Sequence, residues 1–140
     1  MGERFKQCIK ERGLQEGKVE RDIIEKEIGE AERDLDRAEN SASEGDFKWA
    51  TIQAYYSMFH TAKALVLSRG YREKSHLCLS VALRHLFVDG GRLQRKHYER
   101  FMDSMALRKD ADYGLVYSES SAAASIGWAR EFLEDARSTL

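Results

Sequence analysis

The chain has 140 residues, 34% of them charged and 42% hydrophobic, with a formal net charge of −1 and no proline. That length predicts a single domain with a core large enough to fold unaided, and no run of 18 apolar residues is present to span a membrane. With no proline to punctuate loops or sheet edges, the composition favours long helices joined by short turns.

The N-terminal stretch MGERFKQCIKERG lacks the apolar segment of a secretory signal, so a cytoplasmic protein is expected. Cys8 and Cys78 show no CxxC spacing, which argues against a zinc site. In a reducing compartment a structural disulfide is not expected either, and Cys78 reads as a small core residue. Charge is unevenly spread. Residues 1–46 hold 9 Lys/Arg against 14 Asp/Glu, residues 69–109 hold 10 against 4, and residues 110–140 hold 2 against 6. A basic belt between acidic ends suits an anionic ligand, or the attraction of one segment or subunit for another.

In chain order, residues 1–17 are polar, carry Gly13 and Gly17, and read as an N-terminal extension or short helix. Residues 18–140 read as one helical domain. From Lys18, the positions Val19, Ile23, Ile24, Ile28, Ala31, Leu35, Ala38 and Ala42 recur every three or four residues, the stripe of an amphipathic helix. Gly45 suits its C-terminal turn. Asp46 caps a second helix, apolar on one face through Ala50, Ala54, Tyr55, Met58, Ala62 and Leu65. Trp49, Ile52, Tyr56, Phe59 and Val66 make it apolar on a second face, as a central helix is.

A third helix is expected from Ser75 to the turn Asp89-Gly90-Gly91, and a fourth from about Arg92 to Lys109. The last starts near Ser118, where Ser118-Glu-Ser-Ser121 supplies several possible caps, and carries Ala122, Ile126, Ala129, Phe132, Leu133 and Ala136. No segment alternates with period two for long enough to predict a strand. The expected fold is all-α: an up-and-down antiparallel helical bundle of four long helices plus a short fifth.

The run AYYSMFHTAKALVLSRGYREKSH (Ala54–His76), with LFV (Leu86–Val88) and LRKDADYG (Leu107–Gly114), resembles the HEPN domain in its small stand-alone archaeal and bacterial branch. The likeness covers about Asp34 to Leu140. It implies a helical bundle that forms homodimers, often with a minimal nucleotidyltransferase as the other half of a toxin–antitoxin pair. In the catalytic members it implies a metal-independent ribonuclease with an Arg that holds the scissile phosphate and, four to six residues on, a His that handles protons as the ribose 2′-hydroxyl attacks.

Arg108 matches that arginine, but no histidine follows it; the four are His60, His76, His85 and His97. Asp112 and Tyr113 stand where the histidine is expected. In the nucleotidyltransferase-paired branch a nearby tyrosine accepts AMP, and Tyr113 is its nearest analogue here.

Each of these residues reads two ways. Arg108 is either a fixed cation for a phosphate or a helix-terminal residue that answers the macrodipole and pairs with Asp112. Asp112 is either a general base or the group that orients Arg108. Tyr113 is a modification site, a nucleotide-stacking ring or a half-buried aromatic. Lys74 and Ser75, at the start of the third helix, either bind an anion or, for Ser75, simply cap the helix.

Tyr55, Tyr56 and Phe59 read as core. His60 reads as a hydrogen-bonded core residue, or as the missing proton carrier if the fold brings it to Arg108. His85 and His97 read as surface residues. The spacing of His76 and His85 predicts no metal, and no cofactor is expected. Arg92, Lys96 and Arg100 share a face that fits RNA or acidic partner helices.

Loss of the motif histidine should reduce acid–base catalysis by about 10²–10⁴-fold. The expectation is therefore a non-catalytic HEPN-like module that binds a nucleotide, RNA or a nucleotidyltransferase partner, with no membrane attachment. The alternatives are an active ribonuclease that uses Arg108 with Asp112, Tyr113 or His60, and a purely structural interaction module.

Overall fold

The computed structural model describes residues 2–112 and 117–140. Six α-helices make up most of it: α1 Glu3–Lys10, α2 Arg21–Ser43, α3 Phe47–Ser68, α4 His76–Leu83, α5 Arg95–Asp112 and α6 Glu119–Thr139. Four are long and two short, against the expected four and one. The predicted third helix divides: α4 passes into a π-helical segment, Arg84–Val88. Two three-residue strands, β1 Leu14–Glu16 and β2 Tyr71–Glu73, pair antiparallel, with Leu14 opposite Glu73 and Glu16 opposite Tyr71. These were not predicted, because three residues are too few to show a period of two.

The side-chain signals at the helix starts act as read. The Asp46 carboxylate accepts from the Trp49 amide, Ser75 Oγ accepts from the Cys78 amide, and Ser118 forms a capping box with Ser121. Gly45, just beyond the C-terminus of α2, has φ +80°, a conformation that costs glycine little.

Helix α3 is the centre of the fold, and its apolar residues pack on α2, α4, α5 and α6. Close approach of the long helices is set by small residues. Ala31 and Ala38 of α2, Ala54 and Ala62 of α3, and Ala122, Ala129 and Ala136 of α6 are all fully buried. Around them close Tyr55, Met58, Leu65, Phe101 and Phe132. Trp49 and Leu77 instead remain half exposed. The charged face of α2 pairs with α6 through Glu39–Arg130 and Glu32–Arg137.

Residues 2–17 pack against α4 and the connector before it. Phe5, Cys8 and Leu14 are buried, and Cys8 is joined to Cys78 of α4 by a disulfide, Cα to Cα 5.8 Å. This corrects the expectation of two free thiols. The sequence argument rested on the compartment, which governs whether a disulfide persists, whereas bonding geometry depends on a contact between residues 70 apart in sequence. Gly13 lies under this bond, where an added Cβ would stand 2.5 Å from Cys78 Sγ.

Candidate functional site

The residues that position Arg108 come from three helices. Tyr55 and Phe59 stand one turn apart on α3, Arg108 lies near the C-terminal end of α5, and His76 opens α4 immediately after its cap. The Arg108 guanidinium carbon sits 5.2 Å from the centroid of the Tyr55 ring, a cation–π approach. Phe101 of α5 stacks on Tyr55 with ring centroids 5.8 Å apart. The Tyr55 hydroxyl meets His76 Nδ1 at 2.5 Å, and the His76 ring stacks on Phe59 with centroids 4.5 Å apart.

The electrostatics follow from this packing. Burial pushes the Tyr55 phenol well above its ordinary range, against the opposing pull of the Arg108 charge, so it stays protonated. Burial lowers His76 below the usual imidazole value, and the positive charges of Arg108 and Lys109 lower it further. Near neutral pH the cluster therefore holds one cation, one phenol and one uncharged imidazole. The hydroxyl supports either imidazole tautomer, since it donates to a bare Nδ1 and accepts from a protonated one. An incoming anion would offset the Arg108 and Lys109 charges and draw a proton onto His76.

The expected site residues fare differently. Arg108 is half-buried and engaged with Tyr55. Lys74 and Ser75 adjoin His76 and are exposed, but the Ser75 hydroxyl is occupied in capping α4. The side chain of Asp112 and all of Tyr113 lie outside the described residues.

His60 turns toward α2, with Nδ1 2.6 Å from a Glu27 carboxylate oxygen, so the proposed proton carrier is elsewhere and the histidine beside Arg108 is His76. Sequence reading missed it because 32 residues separate the two. The available signal was a histidine in the first turn of a capped helix, next to a tyrosine-rich helix.

His97 and His85 correct the reading of surface residues. His97 is fully buried, its Nε2 2.6 Å from Asp135 and its ring stacked on Phe132. His85, on the π-helical segment, stacks on Phe5 at 4.3 Å. It lines a cavity of about 270 Å³ with Phe5, Val81, Arg84 and Tyr98, away from the Arg108 cluster. On α5, Arg100 donates to Glu131 of α6 at 2.5 Å, and Lys96 lies 3.6 Å from the same carboxylate. Much of the basic face of that helix is thus answered within the chain.

Comparison with known proteins places these elements. The family profile described as HEPN domain matches residues 24–139. Two proteins of Methanocaldococcus jannaschii, each bearing the name "Putative toxin", are both 30% identical to the chain. One aligns over 64% of this chain and 61% of its own length; the other over 82% and 86%. A UPF0332 protein of Gloeobacter violaceus is 34% identical over 65% of this chain and 72% of its own. The chain thus spans about three fifths of the first of these relatives and most of the second.

Proposed function

The chain belongs to the HEPN domain family, and on that premise we propose that it is a toxin-type HEPN module that binds the phosphate of a nucleotide or of RNA at Arg108 without cleaving it. The observation that carries this reading is the convergence of Arg108, Tyr55 and His76 from three helices. The guanidinium supplies fixed charge and planar donors for a phosphate. The His76 imidazole supplies either a donor or, once protonated, a second charge, and Lys74 and Lys109 add longer-range attraction. The aromatic packing of Tyr55 against Phe101 and of His76 against Phe59 fixes these groups before a ligand arrives.

Asp112 and Tyr113, four and five residues after Arg108, belong to the same proposal, Asp112 as an orienting carboxylate and Tyr113 as a stacking or modified ring. Homodimerisation and a nucleotidyltransferase-type partner belong to the same proposal, in keeping with the toxin names of two relatives.

A second reading, metal-independent ribonuclease, gains from one observation: the His76 imidazole meets the hydroxyl of Tyr55, on whose ring Arg108 is seated, and burial with the neighbouring positive charges lowers its hold on a proton. Attack by a ribose hydroxyl requires a base and departure of the leaving oxygen requires an acid. Within one chain this cluster holds a single such imidazole, with a phenol held protonated, so turnover would need the second acid–base group from another chain, and that favours binding for the single chain.

The test is direct. Fluorescently labelled oligoribonucleotides and nucleoside phosphates are titrated in EDTA with the parent, with Arg108→Ala and with His76→Ala, and the same mixtures are run on a gel. Saturable binding lost in Arg108→Ala, with the RNA intact, is the expected result. Cleavage that requires both Arg108 and His76 would replace the binding reading with the ribonuclease, and neither binding nor cleavage would leave a structural interaction module.

A further inference from the structure

On the flank of α3 that faces α2, a different set of side chains converges. Glu30 and Asp34 lie one turn apart on α2, and His60 reaches across from α3, its Nε2 3.7 Å from Asp34 Oδ2. One donor atom from each of the three falls within 4.8 Å of the others. We infer that Glu30, Asp34 and His60 form a binding site for a divalent transition-metal ion of the zinc or manganese type.

The argument rests on how His60 is held. Glu27 Oε2 stands 2.6 Å from His60 Nδ1, and a carboxylate in that position keeps the proton on Nδ1 and leaves the Nε2 lone pair directed outward, here toward Asp34. That is the arrangement in which an outer carboxylate orients a metal-binding imidazole. Glu27 is itself fixed by Lys63, whose ammonium lies 3.6 Å from it and 3.7 Å from Glu73 of β2. One imidazole nitrogen with two carboxylates is a donor set for borderline divalent ions rather than for calcium, which prefers oxygen throughout. Three protein ligands leave coordination positions for water.

Two cations compete for the carboxylates. Arg33 pairs with Glu30 at 2.7 Å and Arg37 with Asp34 at 2.9 Å. Both arginine side chains are 54% exposed, so each pair is held by a cation that stays largely in water and is weakly fixed. A metal ion entering from the solvent side displaces them outward at small cost. Bringing the three donor atoms onto one ion takes side-chain adjustments on the order of 1 Å, given ligand distances of about 2.0–2.2 Å. The inference departs from the sequence expectation of no metal, which weighed the spacing of the two cysteines and of His76 and His85 but not the carboxylates of α2. It is independent of the phosphate reading at Arg108.

The test uses the full chain, stripped with EDTA and dialysed, then titrated with zinc chloride and separately with manganese chloride by calorimetry. One ion per chain is expected, with X-ray absorption showing one nitrogen and several oxygen neighbours. His60→Gln and Asp34→Asn should each abolish saturable binding, and Glu27→Gln should weaken it by about 10–100-fold. Circular dichroism checks folding of each variant, and Asp34→Asn serves if His60→Gln does not fold. Absence of saturable binding by the parent up to about 1 mM, or binding undiminished in the folded variants, overturns the inference. So does an NMR titration in which zinc leaves the His60 resonances unmoved.

Discussion

Reduction of the Cys8–Cys78 disulfide should destabilise the fold substantially without dismantling the long-helix bundle. The bond closes a loop with a sequence separation of 70 residues, and restricting an unfolded chain over such a loop removes about 15 cal/mol/K of its entropy, or about 4 kcal/mol at 25 °C. That figure is a ceiling, since native-state adjustments and residual unfolded structure reduce it, and a loss between about 2 and 4 kcal/mol is expected. The assay is urea unfolding followed by circular dichroism, comparing oxidised protein, protein held in reductant, and the Cys8→Ser/Cys78→Ser double variant. With a slope of about 2 kcal/mol/M, the midpoint should fall by about 1–2 M on reduction. The oxidised and reduced curves should keep similar slopes if unfolding stays two-state. A midpoint that moves by less than about 0.3 M, in a sample shown by mass spectrometry to carry two alkylated thiols, would refute the reasoning.

Three further outcomes follow from the clusters around α3 and α5. In an NMR titration, His76 should protonate below the usual imidazole range, and Arg108→Ala should move it back upward, because a positive neighbour is removed. Since its folded-state affinity for protons is the lower one, this group opposes folding increasingly as pH falls from the unfolded value near 6.5 through the lowered folded value, so the loss of stability between neutral and acid pH should be smaller in Arg108→Ala than in the parent. Tyr55→Phe keeps the stack on Phe101 but removes the hydroxyl that meets His76, and should cost about 1 kcal/mol in chemical denaturation; an unchanged midpoint would mean the hydrogen bond contributes nothing net. Asp135→Ala should cost about 1–3 kcal/mol by leaving the buried His97 nitrogen without its carboxylate, and a loss no greater than that of an exposed control such as Glu134→Ala would contradict it.

What the sequence made legible was local. The stripe from Ile24 to Ala38, the doubly apolar run from Phe47 to Val66 and the caps at Asp46, Ser75 and Ser118 are written in neighbouring residues, and each appears in the fold as read. What escaped reading depends on contacts distant in sequence. Cys8 meets Cys78 only because α1 folds over α4. His97, between Lys96 and Tyr98 in a highly charged stretch, looks like a surface residue until α6 brings Asp135 and Phe132 to it. The division of the third helix was hidden for another reason: Arg84–Val88 is apolar enough to continue an α-helix, and nothing in its composition marks the wider turn. At the candidate site the resemblance pointed to Arg108, but it placed the proton carrier after that residue, and only the fold shows His76 there from the other direction.

The pairing of β1 with β2 bears on how far the segment that carries His76 is ordered in advance. The connector from Tyr71 to Ser75 is stitched to the N-terminal segment at several points: the strand register, the Gly17 amide to the Gly70 carbonyl at 2.8 Å, and the Lys74 amide to the Gly13 carbonyl at 2.8 Å. Fixing a backbone residue costs about 1–2 kcal/mol in conformational entropy, and for this connector that cost is met during folding. Association at the opening turn of α4 would therefore start from an already ordered backbone, with a small entropic penalty and a correspondingly fast approach to the bound geometry. Residues some sixty positions upstream thus act as a splint, and cutting the chain within residues 11–17 should weaken the phosphate binding proposed at Arg108 and His76 even though none of those residues touches either through a contact described above.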